Sequence, residues 1–363
     1  MKLLSGMARR PRTRRTGVPP RSCSAQLAAL LLLSWLLAGC REQAPAPRSS
    51  DKLVTGATIV FIGPAGGGLR WQAMLGGARK AIQSFPAIKL RPLLPSDGSD
   101  TALRDAVDRA LGLQPDVLCL TVFETGEATD IAERVFDIGV PLITVGSGPK
   151  LEKSVAHVRI DLTGGAQLLG AHIPEILGDR RSYVLLSCQG RSRTDTSCYA
   201  RFMQAARHHS GVYLLDERCG TGSVAGMVDE IRDMLAVFPH AGMVVTLRPD
   251  VWFDNDPVML LRDKTRLATL GASPRLWPLL RSGRAAALCG PIDGRIGHIA
   301  MDAAIVVLTR SRQFSPLHIV PCELVRPDSL DDFARRYAEA GGMRVEALLP
   351  PATTRPATHQ PGP

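Results

Sequence analysis

The sequence predicts an α/β protein built as two lobes, each a parallel sheet covered by helices. Three observations predict it. Short, apolar, β-rich runs alternate with helix-length segments from Thr58 onward. Strands spaced by helices of that length form βαβ units and hence parallel sheets. The alternation then repeats in a second half of similar size, and the N-terminus ahead of it reads as an export signal.

Residues 1–39 hold seven basic side chains (Lys2, Arg9, Arg10, Arg12, Arg14, Arg15, Arg21) and no acidic one. Ala25 to Gly39 follows as a nearly unbroken apolar run of 15 residues. That is shorter than the roughly 20 a spanning helix needs. A basic segment, an apolar core and small residues before a cut describe a secretory signal. Leu37-Ala38-Gly39-Cys40 resembles a bacterial lipobox, in which the cysteine is lipidated and begins the mature chain. The expectation is a signal peptide over 1–39 and a flexible tether over 40–51, anchored to the lipid bilayer through Cys40.

The whole chain of 363 residues carries a formal charge of +10. Seven of those charges lie in the signal, which leaves about +3 on the mature body. The basic balance therefore points to no nucleic-acid partner. Of eight cysteines, Cys23 leaves with the signal and Cys40 takes the lipid. Cys119 and Cys289 sit in apolar strand-like runs and read as small core residues. Cys188, Cys198 and Cys219 fall at strand ends or loops. An exported compartment permits one bridge among them, Cys188–Cys219 being the preferred pair. No cysteine or histidine spacing indicates a metal site.

In chain order, strands are expected at TIVFIG (from Thr58), KLRPLL (Lys89), DVLCLTV (Asp116), PLITVG (Pro141) and HVRID (His157). A second series follows at SYVLLSC (Ser182), VYLLDE (Val212), AGMVVTL (Ala241), RLATLG (Arg266), AAALCG (Ala285) and HIVPCELV (His318). Helices are expected over 69–84, 100–113, 128–138, 162–177, 196–208, 224–237, 257–263, 274–281 and 292–309. Asp256-Pro257 reads as an N-cap followed by proline at the first helical position. Ser329–Ala340 is expected as a surface helix within 327–349. The Pro/Thr-rich tail, 350–363, is expected to be disordered.

Enzyme signatures fail one by one. Gly66-Gly67-Gly68 follows the first strand and opens a helix, yet no Lys-Ser/Thr comes after it and Trp71 stands where a dinucleotide fingerprint wants glycine. Neither a Gly-x-Ser-x-Gly elbow nor a His-Glu-x-x-His zinc motif occurs. The chain offers no nucleophile–base constellation and no cofactor motif. The loops after the strands offer a binding chemistry instead. In the first half they carry Arg70, Trp71, Glu124 and Ser147. In the second they carry Arg191, Arg193 and Asp195, then Arg248, Asp250 and Trp252. Such loops converge on a cleft between α/β lobes, where flat rings stack and charged forks take hydroxyls or carboxylates. Trp71 and Trp252 are the rings expected to sandwich a ligand from opposite lobes.

The order GATIVFIG, RWQAMLGGARKAIQSFP, QPDVLCLTV, GVPLITVG, VRIDLTGGAQLLGAHI, ARFMQAA, RLATLG and GRIGHIAMDAAIVVL is similar to periplasmic sugar-binding proteins of the ribose-binding type. The likeness runs from about Thr58 to Val325 and rests on segment order. It implies a type I periplasmic-binding fold: two Rossmann-like lobes with parallel sheets, joined by three crossovers near 160, 291 and 312. The N-terminal lobe would be 52–160 plus 291–312, and the C-terminal lobe 161–290 plus 313–326. Among the family's sugar contacts, Arg70 and Trp71 stand at the aromatic positions of the first loop. Gly146-Ser147 replaces an Asp-Arg pair, and Arg191 and Arg193 fall a few residues early for the second-lobe arginine. Pro249-Asp250 approximates an Asn-Asp pair, and Gly271 and Gly290 replace two later polar residues. The resemblance implies a monomeric solute-binding lipoprotein that passes a small polar ligand to an ABC permease, or presents it to a membrane sensor. A DNA-binding regulator of related fold does not fit a signal peptide where a helix-turn-helix would stand.

Overall fold

A computed structural model describes residues 56–122, 126–187, 192–207, 209–220, 223–253, 259–261, 264–309 and 315–349. The expected signal over 1–39, the expected tether over 40–51 with Cys40, and residues 350–363 lie outside these residues.

The first sheet is built from β1 (Ala57–Ile62), β2 (Ile88–Leu93), β3 (Val117–Thr121), β4 (Leu142–Gly146), β5 (Ala156–Asp161) and β11 (Leu317–Pro321). Its order is β11-β5-β4-β3-β1-β2, with every neighbouring pair parallel. Interior strands such as β3 and β4 are apolar on both faces, as sheets covered by helices on each side require. Pro92 and Pro321 fall on the two edge strands, where a missing N–H removes nothing from a neighbour. The helices of this lobe are α1 (Gly68–Ile82), α2 (Asp100–Gly112) and α3 (Gly126–Asp137).

The second lobe opens with α4 (Leu162–Ala171) and α5 (Ile173–Leu177), one expected helix divided just before Pro174. Strands β6 (Ser182–Ser187), β7 (Tyr213–Cys219), β8 (Met243–Thr246), β9 (Arg266–Leu270), β10 (Ala285–Gly290) and β12 (Glu323–Val325) form its sheet in the order β12-β10-β9-β8-β6-β7. All pairs are parallel except β12 on β10. Helices α6 (Arg193–Ala206), α7 (Val224–Val237) and α8 (Trp277–Arg281) cover it. Serine hydroxyls start the helices where the chain offers them: Ser99 accepts from Ala102 N, Ser192 from Asp195 N and Ser223 from Gly226 N. The segment expected as a helix over 257–263, with Asp256 as its cap, falls largely outside the described residues.

The chain passes between lobes three times. It leaves β5 at Asp161 for α4, and leaves β10 across Pro291-Ile292 for α9 (Asp293–Thr309), which packs on α1. The third passage lies at Cys322, not near 312. Leu317–Pro321 pairs with β5 in the first sheet, so the single strand expected at HIVPCELV is divided between the two sheets.

Two further helices close the described chain, α10 (Leu330–Gly341) and α11 (Val345–Leu348). The expected surface helix is instead a packed one. Leu330, Phe333, Ala334, Tyr337, Ala338 and Gly341 share one face, and each is buried. No helix among the described residues is long and apolar enough to cross a membrane.

Candidate functional site

The carboxyl ends of both sheets face the interlobe boundary, where the first crossover brings a polar cavity together. Its volume is about 330 Å³, and Ser147, Arg159, Asp161, Thr163, Arg193 and Thr194 are among its walls. The loop after β4 supplies Ser147, while β5 ends in Arg159 and Asp161. The opposite lobe supplies Arg193 and Thr194 from the first turn of α6. The lobes touch here directly: Thr194 Oγ1 donates to the Ser147 carbonyl at 3.2 Å.

Two buried devices shape this cavity. His157 has no exposed surface, and its Nε2 meets the Gly148 carbonyl at 2.9 Å. A carbonyl only accepts, so Nε2 carries the proton and Nδ1 receives the Thr144 hydroxyl at 2.8 Å. Burial, aided by the charges of Arg159 and Lys150, holds the imidazole below its ordinary pKa and therefore neutral. The ring thereby pins the loop that carries Ser147. Asp161 spends one oxygen on capping α4, accepting from Gly164 N at 3.0 Å. Arg159 is left with a buried Nε that has no hydrogen-bond partner among the described residues. Such a donor is costly unless a ligand or water receives it.

The other expected residues fall elsewhere. Trp71 is 5 % exposed and meets Phe61 edge-on at 4.9 Å, inside the first lobe's core. A Cβ on Gly63 would fall 2.7 Å from the indole, so the backbone itself covers the ring. Trp252 is 2 % exposed, and its Nε1 donates to Thr246 Oγ1 at 2.8 Å. The sandwich of two tryptophans across the cleft is thus corrected: both rings face inward because each lobe's core takes them.

Arg70 lies exposed at the start of α1 and grips Asp293, with Nη2 to Oδ1 at 3.1 Å and Nε to Oδ2 at 3.2 Å. Asp293 is 2 % exposed and also accepts from the buried Tyr337 hydroxyl at 2.7 Å. The Asp293 charge drives the Arg70 pKa upward, so the guanidinium stays charged and engaged. Arg248 and Asp250 are half-buried and bind each other, Nε to Oδ1 at 3.1 Å. Asp195 stands in the first turn of α6, its N–H on the capping Ser192. Glu124, Arg191 and Cys188 lie outside the described residues. Cys219, the other half of the expected bridge, is exposed at the end of β7.

The structure therefore joins two expected residues, Ser147 and Arg193, with four that were not singled out: Arg159, Asp161, Thr163 and Thr194. The signal for the missed ones was present. Arg159 and Asp161 are the charged residues of a strand that ends at a crossover, where charge has no purpose in a core. Cys289, at 0 % exposure, donates its thiol to the Gly165 carbonyl at 3.3 Å, and Cys119 is also fully buried. Among the described residues, no cluster of three or more His, Cys, Asp or Glu could hold a metal ion.

Two six-stranded α/β lobes with three crossovers define the type I periplasmic-binding fold. Among solved structures, the chain is similar to a glucose-galactose binding protein from Geobacillus stearothermophilus. That match has a TM-score of 0.62 and 15% identity, over 76% of this chain and 99% of the other. An arabinose binding protein from the same organism gives 0.67 and 10%, over 77% and 99%. A solute binding protein from Bacillus halodurans with bound myo-inositol gives 0.63 and 14%, over 77% and 97%. A scan of family models returns no match, and a sequence search of curated proteins returns none.

Proposed function

We propose that this chain is a solute-binding protein that takes a small polar molecule into the cavity at the first crossover. The observation that carries the reading is the cavity's chemistry. Two guanidinium groups from opposite lobes, one with a buried Nε unpartnered among the described residues, face a carboxylate and several hydroxyls. That set suits a polyol, sugar or small carboxylate, which offers many donors and acceptors in a small volume. About 330 Å³ is near the lower end of ligand clefts, which favours a molecule of monosaccharide size. The resemblance expects a guanidinium after the fourth strand. None stands at Gly146-Ser147, and Arg159 brings one to the same space from β5. The sugar-binding proteins and the inositol complex among the similar structures support the same class of ligand.

No bond is made or broken in this reading. Ligand contacts to both lobes stabilise the arrangement that holds the solute, and occupancy of the cavity is what a partner reads. Cys40 anchors the body to the membrane, and the partner is an ABC permease. The scarcity of the family's sugar contacts favours, as a second reading, presentation of ligand state to a membrane receptor.

A thermal-shift screen of sugars, polyols, nucleosides and small carboxylates on residues 41–363 tests the proposal. At least one compound is expected to raise the melting temperature, as any ligand selective for the folded state does. Failure of every compound at millimolar concentration would contradict it.

A further inference from the structure

Helix α10 belongs to neither sheet, yet it is fastened to both lobes. On the second lobe, Phe333 and Tyr337 meet Trp277 edge-on, with ring centroids 6.0 and 5.3 Å away. Arg281 adds an ion pair to Asp331 at 2.6 Å. On the first lobe the contact is backbone to backbone. A Cβ on Gly76 of α1 would fall 1.7 Å from the Gly341 carbonyl oxygen. Lys80 Nζ donates to the Glu339 carbonyl at 2.6 Å, and the Tyr337 hydroxyl donates to Asp293 of α9 at 2.7 Å.

We propose that α10 is an interlobe strap that sets the separation of the two lobes, so the cleft is held at one width before any solute arrives. Rotation about the three crossovers would carry Trp277 away from Gly76. α10 cannot follow both, so movement requires it to release one lobe. Neither grip yields easily. The glycine contact has no side chain to absorb a shift, and packed interfaces are bistable more than they are elastic. Release also exposes Phe333, Ala334, Tyr337 and Ala338, all at most 3 % exposed when docked. A strap of this kind gives up range of motion and gains preorganisation, which lowers the cost of ordering the site on binding. The strap goes beyond the solute-binding reading and holds whether or not the cavity takes a ligand.

The test uses residues 41–363 without ligand, comparing the unmodified chain with Gly76→Gln by small-angle X-ray scattering and amide hydrogen exchange. The expected result is a wild-type curve matched by one lobe arrangement. Gly76→Gln should show a larger radius of gyration and at least tenfold faster exchange along 334–341, with β1 and β6 unchanged. Lys80→Glu combined with Asp331→Lys alters exposed side chains at both grips and should move both readouts the same way, so the test survives if Gly76→Gln does not fold. Faster exchange in α10 with an unchanged radius of gyration would overturn the strap. So would a wild-type curve that needs several lobe separations. Both readouts are independent of ligand binding, so a failed solute screen leaves this outcome interpretable.

Discussion

Asp293 shows how much one side chain can organise. A carboxylate at 2 % exposure must have its charge matched and its oxygens engaged. Arg70 and Tyr337 do both, and they come from opposite ends of the sequence. Tyr337→Phe keeps the ring on Trp277 and removes one hydrogen bond to a buried charge. The expected loss is about 1.5–3 kcal/mol in urea unfolding; a change below about 0.5 kcal/mol would show the contact contributes little. His157 supplies a pH signature. The unfolded chain takes up a proton near the ordinary value of 6.5, while the buried ring resists it. Stability from this residue is therefore complete above that pH and falls as the pH drops below it, levelling off beneath the folded-state value. His157→Gln should flatten that part of the profile between pH 7 and 5; an unchanged slope would assign it to other groups. Residue identity alone misled in one respect. Trp71 and Trp252 sit after strand ends, where a ligand-stacking ring would sit, but position along the chain does not say which way a side chain turns. The glycine under Trp71 was the clue, since it makes room for a ring against the strand.

Elements were more legible than residues. Short, apolar, β-rich runs announced strands, and the helix-length segments between them announced βαβ units and parallel sheets. What periodicity could not show was membership. Leu317–Val325 reads as one strand and serves two sheets, because the run of extended residues hides the passage at Cys322. Likewise 329–340 reads as a surface helix, because nothing local says that α10 packs on two lobes. Helix crossings were legible only as glycines. Gly297 of α9 lies where a Cβ would come within 1.8 Å of the Met74 carbonyl oxygen, whereas Gly112 at the end of α2 faces open space. Gly297→Ala should therefore cost about 1–3 kcal/mol or more by forcing α1 and α9 apart. Gly112→Ala should gain up to about 1 kcal/mol from helix propensity. Thermal unfolding of the pair checks the crossing, and equal effects would contradict it.

At the scale of the whole molecule, the bilobed body is what the functional proposal is built on. The proposed solute-binding role rests on the two α/β lobes and the polar cavity at their first crossover. The cavity itself was half legible. Ser147 and Arg193 follow from their loops, while Arg159 and Asp161 emerge only once β5 is seen to lead from one lobe to the other. The sequence resemblance carried the fold further than it carried the ligand, because fold rests on many apolar positions and ligand choice on a few polar ones. The central claim is that this cavity is the solute site. It is tested most directly by calorimetric titration of the best compound from the thermal-shift screen into the wild type, Arg193→Ala and Arg159→Gln. The account predicts a loss of at least tenfold in affinity, about 1.4 kcal/mol, for each variant. Wild-type affinity in both variants would place the site elsewhere and contradict it.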